Sequence, residues 1–334
     1  MGDLMHAVGY REPLPIAHPA SLVDADVPVP APGPRDLLVR VMAVSVNPAD
    51  VKVRAGVRPP DFRILGYDAA GVVVAVGDEV SLFAVGDEVY YAGQSDRPGS
   101  DAGYHLVNEN IVGHKPVSLD FGAAAALPLT TITAWEMLFD HFGLTADSEG
   151  TILVVGAAGG VGSMVLQLAR ALTKLTVVGT AARGESARWA TDMGAHHVVD
   201  RHDLVASVGA VAPGGVGYVV SPYSRGNIDS YAALLRPLGH VAATDEPEGL
   251  DLLPLKAKSV TWHWELMFTR PMLLPADTYQ HHLLEATAAL VDAGRVRSTV
   301  TTRLGPLDAA TLREAHRLVE SSATVGKVVV TVAG

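Results

Sequence analysis

The sequence predicts a mixed α/β protein with two domains, a partly open barrel of short antiparallel strands and a parallel sheet covered by helices. Two glycine-acid turns lie close together, Gly77-Asp-Glu-Val and Gly86-Asp-Glu-Val, which is typical of short strands joined by sharp reversals. After residue 121, apolar strands alternate with helical segments, which indicates a parallel α/β sheet. A length of 334 residues agrees with two domains of about 150 residues each.

The barrel half is predicted from β-rich runs and turns over the first 120 residues. Residues 37–46 form one such run after the proline-containing turn at 30–34, and residues 71–77 form another. The acidic residues of the two glycine-acid turns are explained by ordinary β-turns.

The second half is predicted to alternate between strand and helix. Residues 151–155 are a continuous apolar run, as in a parallel strand that is buried on both faces. Apolar residues at helical spacing follow over 161–172. The other predicted segments are helices at 123–142, 275–293 and 308–321, and strands at 175–179, 218–221, 240–243 and 327–332.

The composition excludes several classes of protein and site. With 25 basic and 36 acidic residues the net charge is -11, so we expect no nucleic-acid partner and no anionic membrane partner. The absence of cysteine excludes a disulfide, a thiolate nucleophile and a cysteine-ligated zinc. Neither a secretory signal nor an uninterrupted apolar stretch of spanning length is visible, so we expect a cytoplasmic protein.

A glycine-rich loop is the strongest single motif. It reads Gly156-Ala-Ala-Gly159-Gly160-Val161-Gly162 and stands between a predicted strand and a predicted helix. Glycines permit a tight turn and close approach of the backbone, so a pyrophosphate can bind the free amides at the helix N-terminus. The loop therefore predicts a Rossmann-type dinucleotide site.

The end of the following strand selects the cofactor. An NAD site usually has a carboxylate there, whereas this chain reads Val178-Gly-Thr180-Ala-Ala-Arg183. A guanidinium suits a ribose 2′-phosphate and a carboxylate repels it, so Thr180 and Arg183 predict NADPH as the cofactor. A surface arginine without a ligand is the alternative for Arg183.

Motifs along nearly the whole chain resemble the medium-chain dehydrogenase/reductase superfamily, and within it the quinone oxidoreductase-like branch with its zinc-type alcohol dehydrogenase-like proteins. Besides the glycine loop, the matching motifs are Val46-Asn-Pro-Ala-Asp50, Gly66-Tyr-Asp-Ala-Ala-Gly71, Val85-Gly-Asp-Glu-Val89, Ala126-Leu-Pro-Leu-Thr-Thr-Ile-Thr-Ala-Trp135, Gly194-Ala-His-His197, Trp262-His-Trp-Glu265 and Gly326-Lys-Val-Val329. The resemblance implies a GroES-like barrel domain over 1–122 and 272–334, and a doubly wound, Rossmann-type NADP(H)-binding domain over 123–271. It also implies an active site in the cleft between them and a homodimer.

The sequence differs from the zinc-dependent relatives at the positions of their metal ligands. Those relatives place a catalytic cysteine at the position of Asn47 and a histidine-acid pair at Tyr67-Asp68, and this chain lacks these soft ligands. We therefore expect no metal. The expected function is hydride transfer from NADPH to a small quinone or α,β-unsaturated carbonyl, whose reduction needs only hydrogen-bond donors at an oxygen.

Four residues of the barrel half are candidate catalytic residues. Asn47 is the expected hydrogen-bond donor to the acceptor, and Asp50 is expected to orient the same loop or the cofactor. Tyr67 and Tyr91 are candidate proton donors or stacking partners. Ordinary structure is the alternative for each: a turn for the first two residues and a satisfied core hydroxyl for the tyrosines.

The resemblance implies further contacts. Thr133 corresponds to a family threonine near the nicotinamide and Lys327 to a family lysine close to the cofactor. A helix cap and a solvated lysine are the alternatives. Trp262, Trp264 and Phe268 correspond to a segment that lines the substrate pocket, with a hydrophobic seam between subunits as the alternative.

Two other functions stay open at the level of sequence. A dedicated enoyl or ketone reductase of a biosynthetic pathway would share the fold and the cofactor. A non-catalytic sensor or structural protein would bind NADPH without turnover.

Overall fold

The computed structural model describes residues 3–182 and 184–332. The chain forms two compact units, one made of Met1–Ile132 together with Phe268–Gly334 and the other of Thr133–Met267. No helix within the described ranges has the length and apolarity that a bilayer crossing requires.

The chain begins with short strands, as predicted. These are β1 (Leu4–Tyr10), β2 (Val23–Pro28), β3 (Asp36–Val46), β4 (Arg63–Ile64), β5 (Ala69–Val76), β6 (Glu88–Tyr91), β7 (Tyr104–Asn108) and β8 (Val112–His114). The helices of this stretch are α1 (Pro48–Gly56), α2 (Phe121–Ala125) and α3 (Pro128–Trp135), and a π-helical turn, Glu136–His141, continues α3. The strands predicted at 37–46 and 71–77 are β3 and β5.

Strands and helices then alternate, which is the predicted α/β pattern. The strands are β9 (Thr151–Val154), β10 (Thr176–Ala181), β11 (His197–Asp200), β12 (Val216–Ser221), β13 (Leu235–Ala243) and β14 (Thr261–Trp264), with helices α4 (Gly160–Leu172), α5 (Gly184–Asp192), α6 (Leu204–Val211) and α7 (Ile228–Leu234). The C-terminal elements are α8 (Thr269–Leu273), α9 (Tyr279–Asp292), β15 (Val300–Leu304), α10 (Ala309–Glu320) and β16 (Lys327–Thr331).

The long strand β3 organises the first unit. It pairs antiparallel with β5, with β7 and with β16, so strands from both ends of the chain share one sheet. Apolar side chains of these strands and of α10 form one buried cluster, which includes Val41, Val73, Val89, Leu312 and Val328. The sheet runs in the order β15-β16-β3-β5-β6-β8, with β7 beside β3.

The second unit is built on a sheet in the order β11-β10-β9-β12-β13-β14, and its described strands all pair in parallel. The order reverses between β9 and β12, and such a reversal leaves a ligand crevice at the carboxyl ends of the strands. Ile152, Leu153 and Val154 of β9 are fully buried, which explains the continuous apolar run.

Helix α1 is absent from the sequence-based prediction, which favours only strands and turns before residue 120. The start signal is present, because Asn47 is followed by Pro48 at the first helical position. However, the buried residues of α1 are Asp50 and Arg54. A helix that buries charged residues gives no apolar stripe, and the apolar stripe is the main sequence signal for a helix.

The close packing of β5 on β3 predicts a sharp difference between two glycines. At Gly71, an added Cβ would lie 2.2 Å from the Arg40 carbonyl oxygen, whereas at Gly56 it would meet nothing within 4 Å. We expect Gly71→Ala to lower the free energy of unfolding by about 1–3 kcal/mol, because a backbone atom cannot move aside. Gly56→Ala is the matched control, with a change within about 0.5 kcal/mol. Urea denaturation measures both, and equal stability of the two variants would contradict the packing.

Candidate active site

A group of buried polar side chains lies where β3 ends and α1 begins. It consists of Asn47, Asp50, Asp68 and Lys327, here called the polar cluster, and none of these residues is more than 4% exposed. Asp68 immediately precedes β5 and Lys327 opens β16, so the antiparallel pairing of both strands with β3 brings the residues together. Burial of polar groups is costly unless they satisfy one another, so their partners decide what the cluster does.

The Lys327 ammonium is held by three oxygen atoms. Its Nζ donates to Asn47 Oδ1 at 2.5 Å, to Asp68 Oδ2 at 3.0 Å and to the Val46 carbonyl oxygen at 3.3 Å. Asn47 Nδ2 donates to Asp68 Oδ2 at 2.8 Å and to the Ser45 carbonyl oxygen at 3.3 Å. The solvated alternative for Lys327 is therefore wrong. The amide protons of Asn47 are bound to protein oxygens, and its donation to an acceptor stays a prediction.

Asp68 is the anionic centre of the cluster. Besides Asn47 and Lys327, it accepts a hydrogen bond from the backbone N–H of Leu129 at 2.8 Å. Burial raises the pKa of Asp68, and the Lys327 ammonium is the strongest influence that lowers it again. The ion pair is thus what keeps a fully buried carboxylate compatible with the fold.

Asp50 lies in the first turn of α1, and the pKa of its carboxyl group is strongly raised. It accepts hydrogen bonds from the backbone N–H groups of Asn47 at 2.8 Å and of Gly66 at 3.1 Å, so its local role is that of a helix-capping residue. Burial, together with the negative charge of Asp68, raises the pKa of Asp50 to about 7. The hydrogen bond from Asn47 and the Lys327 ammonium act in the opposite direction. Asp101, also buried, has its pKa raised by burial and by the charge of Asp50.

Tyr67 lies beside an aromatic partner in the same unit. Its ring packs edge-on against Phe268 with ring centroids 5.0 Å apart, and its hydroxyl lies 3.4 Å from the Arg63 guanidinium. Burial, followed by the charge of Asp50, raises the pKa of Tyr67 to about 12, so the phenol carries its proton at neutral pH.

The Tyr91 side chain is hydrogen-bonded to His105 inside the first unit. It is fully buried, its ring stacks on His105, and its hydroxyl lies 3.2 Å from His105 Nδ1. The other ring nitrogen of His105 lies 2.9 Å from the Pro98 carbonyl oxygen and must donate there, so Nδ1 accepts the Tyr91 proton. Burial raises the pKa of Tyr91 and lowers that of His105 to about 4.

The glycine loop of the second unit is shaped around bare backbone. Gly156 has a φ of +70°, and a Cβ added to Gly162 would lie 2.4 Å from the Gly156 carbonyl oxygen, so only glycine fits there. Gly159 precedes α4, and no side chain among the described residues caps that helix. The first-turn amides, from Gly160 and Val161 onward, are therefore available to an anion.

The neighbouring strand supports the loop. The Thr180 hydroxyl, at the end of β10, accepts a hydrogen bond from the Gly156 N–H at 3.0 Å. This contact fixes the start of the loop, and the backbone amides that follow Gly159 suit a dinucleotide pyrophosphate. Arg183 lies outside the described residues, so its contact with a 2′-phosphate stays a prediction.

The remaining candidate residues occupy both units. Trp262 and Trp264 lie on β14 with ring centroids 5.5 Å apart. Trp262 packs against the buried core of the second unit and Trp264 is 52% exposed. Thr133 is buried within α3, whereas Phe268 belongs to the first unit with Tyr67.

Sequence reasoning misses the part that Asp68 and His105 play. Asp68 enters it only as a substituted metal ligand, although a lone carboxylate inside the otherwise uncharged run 64–77 signals a buried, paired acid. His105 lies in a strand of ordinary alternation, and nothing in its neighbourhood distinguishes it.

Comparison with known families gives two matches. The Alcohol dehydrogenase GroES-like domain family matches residues 33–129, and the Zinc-binding dehydrogenase family matches residues 193–330. A zinc-type alcohol dehydrogenase-like protein of Staphylococcus aureus (strain MSSA476) is 37% identical over 98% of this chain and 100% of its own length. With the sheet orders above, these matches confirm the predicted fold class of a GroES-like domain plus a Rossmann-type sheet.

Several solved structures are similar to this chain over nearly its whole length. A Rhizobium etli CFN 42 protein, provisionally described as a zinc-dependent alcohol dehydrogenase, is 48% identical, with a TM-score of 0.96 and full coverage of both chains. A Pseudomonas syringae quinone oxidoreductase is 26% identical, with a TM-score of 0.84 over 98% of this chain and 99% of its own. A mycobacterial protein solved in complex with NADPH is 27% identical, with the same TM-score and coverages.

The polar cluster does not fit the zinc ion that some of these names imply. Zinc takes three or four nitrogen, sulfur or carboxylate ligands at about 2.0–2.3 Å. Here the Lys327 ammonium lies between the oxygens of Asn47 and Asp68, and a buried ammonium repels a second cation beside it. Within residues 3–182 and 184–332, no three or more histidine or acidic side chains are arranged to hold a metal ion.

The shifted carboxyl of Asp50 predicts an unusual dependence of stability on pH. Its pKa is about 7 in the folded protein and about 4 in an unfolded chain, so between these values only the native state binds the proton. We expect wild-type stability relative to Asp50→Asn to fall, by at most roughly 4 kcal/mol, as the pH rises from about 4 to about 7, and to level off above. Urea denaturation across this range measures the difference.

The control for this prediction is Asp96→Asn, which removes an exposed carboxylate. Its stability difference from the wild type should stay constant over the same range. A wild-type stability that rises with pH relative to Asp50→Asn would contradict the assignment.

Proposed function

Because this chain belongs to the medium-chain dehydrogenase/reductase superfamily, we propose that it is an NADPH-dependent reductase of quinones or α,β-unsaturated carbonyls that works without zinc. The observation that carries this proposal is a polar cluster in which an ammonium balances the buried carboxylate, in a chain that also has an uncapped glycine-loop helix. The NADPH complex of the mycobacterial relative and the quinone oxidoreductase from Pseudomonas syringae support the cofactor and the substrate class.

The glycine loop and its neighbours are the proposed cofactor site. Gly156, Gly159, Gly160, Val161 and Gly162 supply the turn and the amides for the pyrophosphate, at the positive end of the α4 dipole. Thr180 holds the loop, and Arg183 binds the 2′-phosphate. From the resemblance, Thr133 is proposed to contact the nicotinamide. Lys327, whose ammonium binds protein oxygens, is proposed to act on the reacting end through Asn47 and Asp68. When bound, the nicotinamide supplies the hydride.

The acceptor side is proposed to hold a flat, uncharged molecule. The charges of the polar cluster are largely balanced internally, so the cluster offers no free cation for an anionic substrate. Tyr67 and Phe268 pack edge-on against each other, and they and Trp262 and Trp264 are the proposed aromatic contacts of the acceptor. Planar quinones and enones suit such surroundings.

Tyr67 is the better of the two proposed proton donors. With a pKa of about 12 it is protonated at neutral pH and lies beside the Arg63 guanidinium, which stabilises the phenolate left behind. The Tyr91 proton is already bound to His105 inside the core. Asp50 and Asn47 hold the loop on which α1 begins.

The proposal includes the organisation expected from sequence. Residues 123–271 bind NADP(H), residues 1–122 and 272–334 form the substrate domain, and two chains form a homodimer. These assignments follow the resemblance and are part of the same proposal.

The cofactor assignment predicts a selective loss of affinity in Arg183→Ala. We expect the Kd for NADPH to rise about 10- to 100-fold and the Kd for NADH to change less than about twofold, because only NADPH carries the phosphate that the guanidinium binds. Fluorescence titration with both dinucleotides measures this. Arg317→Ala, which removes an exposed arginine of α10, is the control. Wild-type preference for NADH, unchanged in Arg183→Ala, would contradict the assignment.

The acceptor assignment predicts metal-independent turnover. We expect oxidation of NADPH by benzoquinone, naphthoquinone or an open-chain enone, with rates unchanged by EDTA, because no step requires a Lewis acid. The absorbance of NADPH follows the reaction. Activity only with a simple aldehyde and added zinc would refute the proposal. No activity with small quinones, together with turnover of one enoyl or ketone substrate, would favour a dedicated reductase. NADPH binding without oxidation by quinones, enones or dicarbonyls would favour a sensor.

A further inference from the structure

The oxygen cage around Lys327 has the form of a cation site. Three oxygens, from the Val46 carbonyl, the Asn47 amide and the Asp68 carboxylate, lie 2.5–3.3 Å from one buried nitrogen. An ammonium has three protons, so each proton has one oxygen. The side chain comes from β16, whereas the oxygens come from the end of β3 and the start of β5.

This arrangement gives the ammonium the role that a metal ion has in other sites. A metal ion neutralises its carboxylate and fixes the directions of its ligands, and Lys327 does both for Asp68 and Asn47. Asn47 cannot turn, because its Oδ1 accepts from Lys327 while its Nδ2 donates to Asp68. The same contacts fix the residue that precedes α1.

We propose that the Lys327 ammonium is the built-in cation of this site, and that Lys327 is a positioning residue that orients Asn47 and Asp68 and excludes a metal ion. Its protons are bound to protein oxygens, so its effect on the reaction is exerted through these two residues. The proposal rests on the zinc-independent function, and it deepens that function by naming what replaces the metal.

The chain supplies its own control. Lys115 is also buried, and its ammonium contacts the Pro116 and Leu119 carbonyl oxygens and the Glu88 carboxylate. The Glu88 side chain is 53% exposed, so water can solvate it once Lys115 is removed. Removal of Lys327 instead leaves the fully buried Asp68 without a counter-ion.

The test is replacement of the missing cation from solution. Lys327→Ala removes the side chain beyond Cβ, a space that propylammonium fits in size and charge. We expect kcat with NADPH and a quinone to fall about 100-fold and the Kd for NADPH to change less than about twofold, because the loss is one of geometry at the reacting end. Propylammonium should restore a large part of kcat, and tetramethylammonium at the same ionic strength should not.

Two further variants separate charge from packing. Lys327→Met fills the space without a charge and should lose kcat with no rescue by either amine. Lys115→Ala should keep its kcat and show no response to propylammonium. Wild-type kcat in Lys327→Ala, or equal responses of Lys327→Ala and Lys327→Met to propylammonium, would overturn the proposal.

A second readout does not require turnover, so it distinguishes failure of this proposal from failure of the proposed function. Propylammonium should raise the Tm of Lys327→Ala and leave the Tm of Lys115→Ala and of the wild type unchanged. If Lys327→Ala folds only when propylammonium is present, this result also supports the proposal, because folding then requires the missing cation. An alanine variant that stays unfolded with it, or stoichiometric zinc in metal analysis of the wild type, would overturn the proposal.

Discussion

The buried ion pair between Lys327 and Asp68 is the interaction on which the first unit's polar cluster depends. Either charge alone would be strongly destabilising in an interior that water does not reach, so each residue requires the other as its counter-ion. Because the lysine comes from the last strand and the carboxylate from the middle of the sheet, the pair also ties distant parts of the chain. The orientation of Asn47, and with it the start of α1, follows from this pair.

The polar cluster and the glycine loop differ in how their polar groups are partnered. In the first unit, the members of the polar cluster are paired with one another, and the Tyr91 proton is bound to His105. The second leaves the amides at the start of α4 without a side-chain cap. A self-contained polar cluster suits an uncharged acceptor, whereas bare amides at a helix N-terminus suit a phosphate-bearing cofactor. This contrast is consistent in charge with the proposed reductase, which would bind an anionic cofactor and a neutral substrate.

Family membership does not carry the chemistry of its members into this site. Relatives at 37–48% identity bear names that mention zinc, yet the polar cluster holds an ammonium where the metal would need ligands. A fold can keep its geometry while its reactive group changes, because function lies in a few side chains placed on a common scaffold. In this chain a lysine, an asparagine and an aspartate satisfy one another at this place.

The sequence by itself determined the fold class, the strands β3, β5 and β9, and the glycine loop, because these follow from local periodicity and backbone freedom. It did not give α1, whose buried face carries Asp50 and Arg54 instead of an apolar stripe. Only the tertiary structure decided that Lys327 is buried against Asp68 and that burial raises the pKa of Asp50 to about 7. Such partners lie up to 280 residues apart in the chain, and burial and pairing across that separation leave no local pattern.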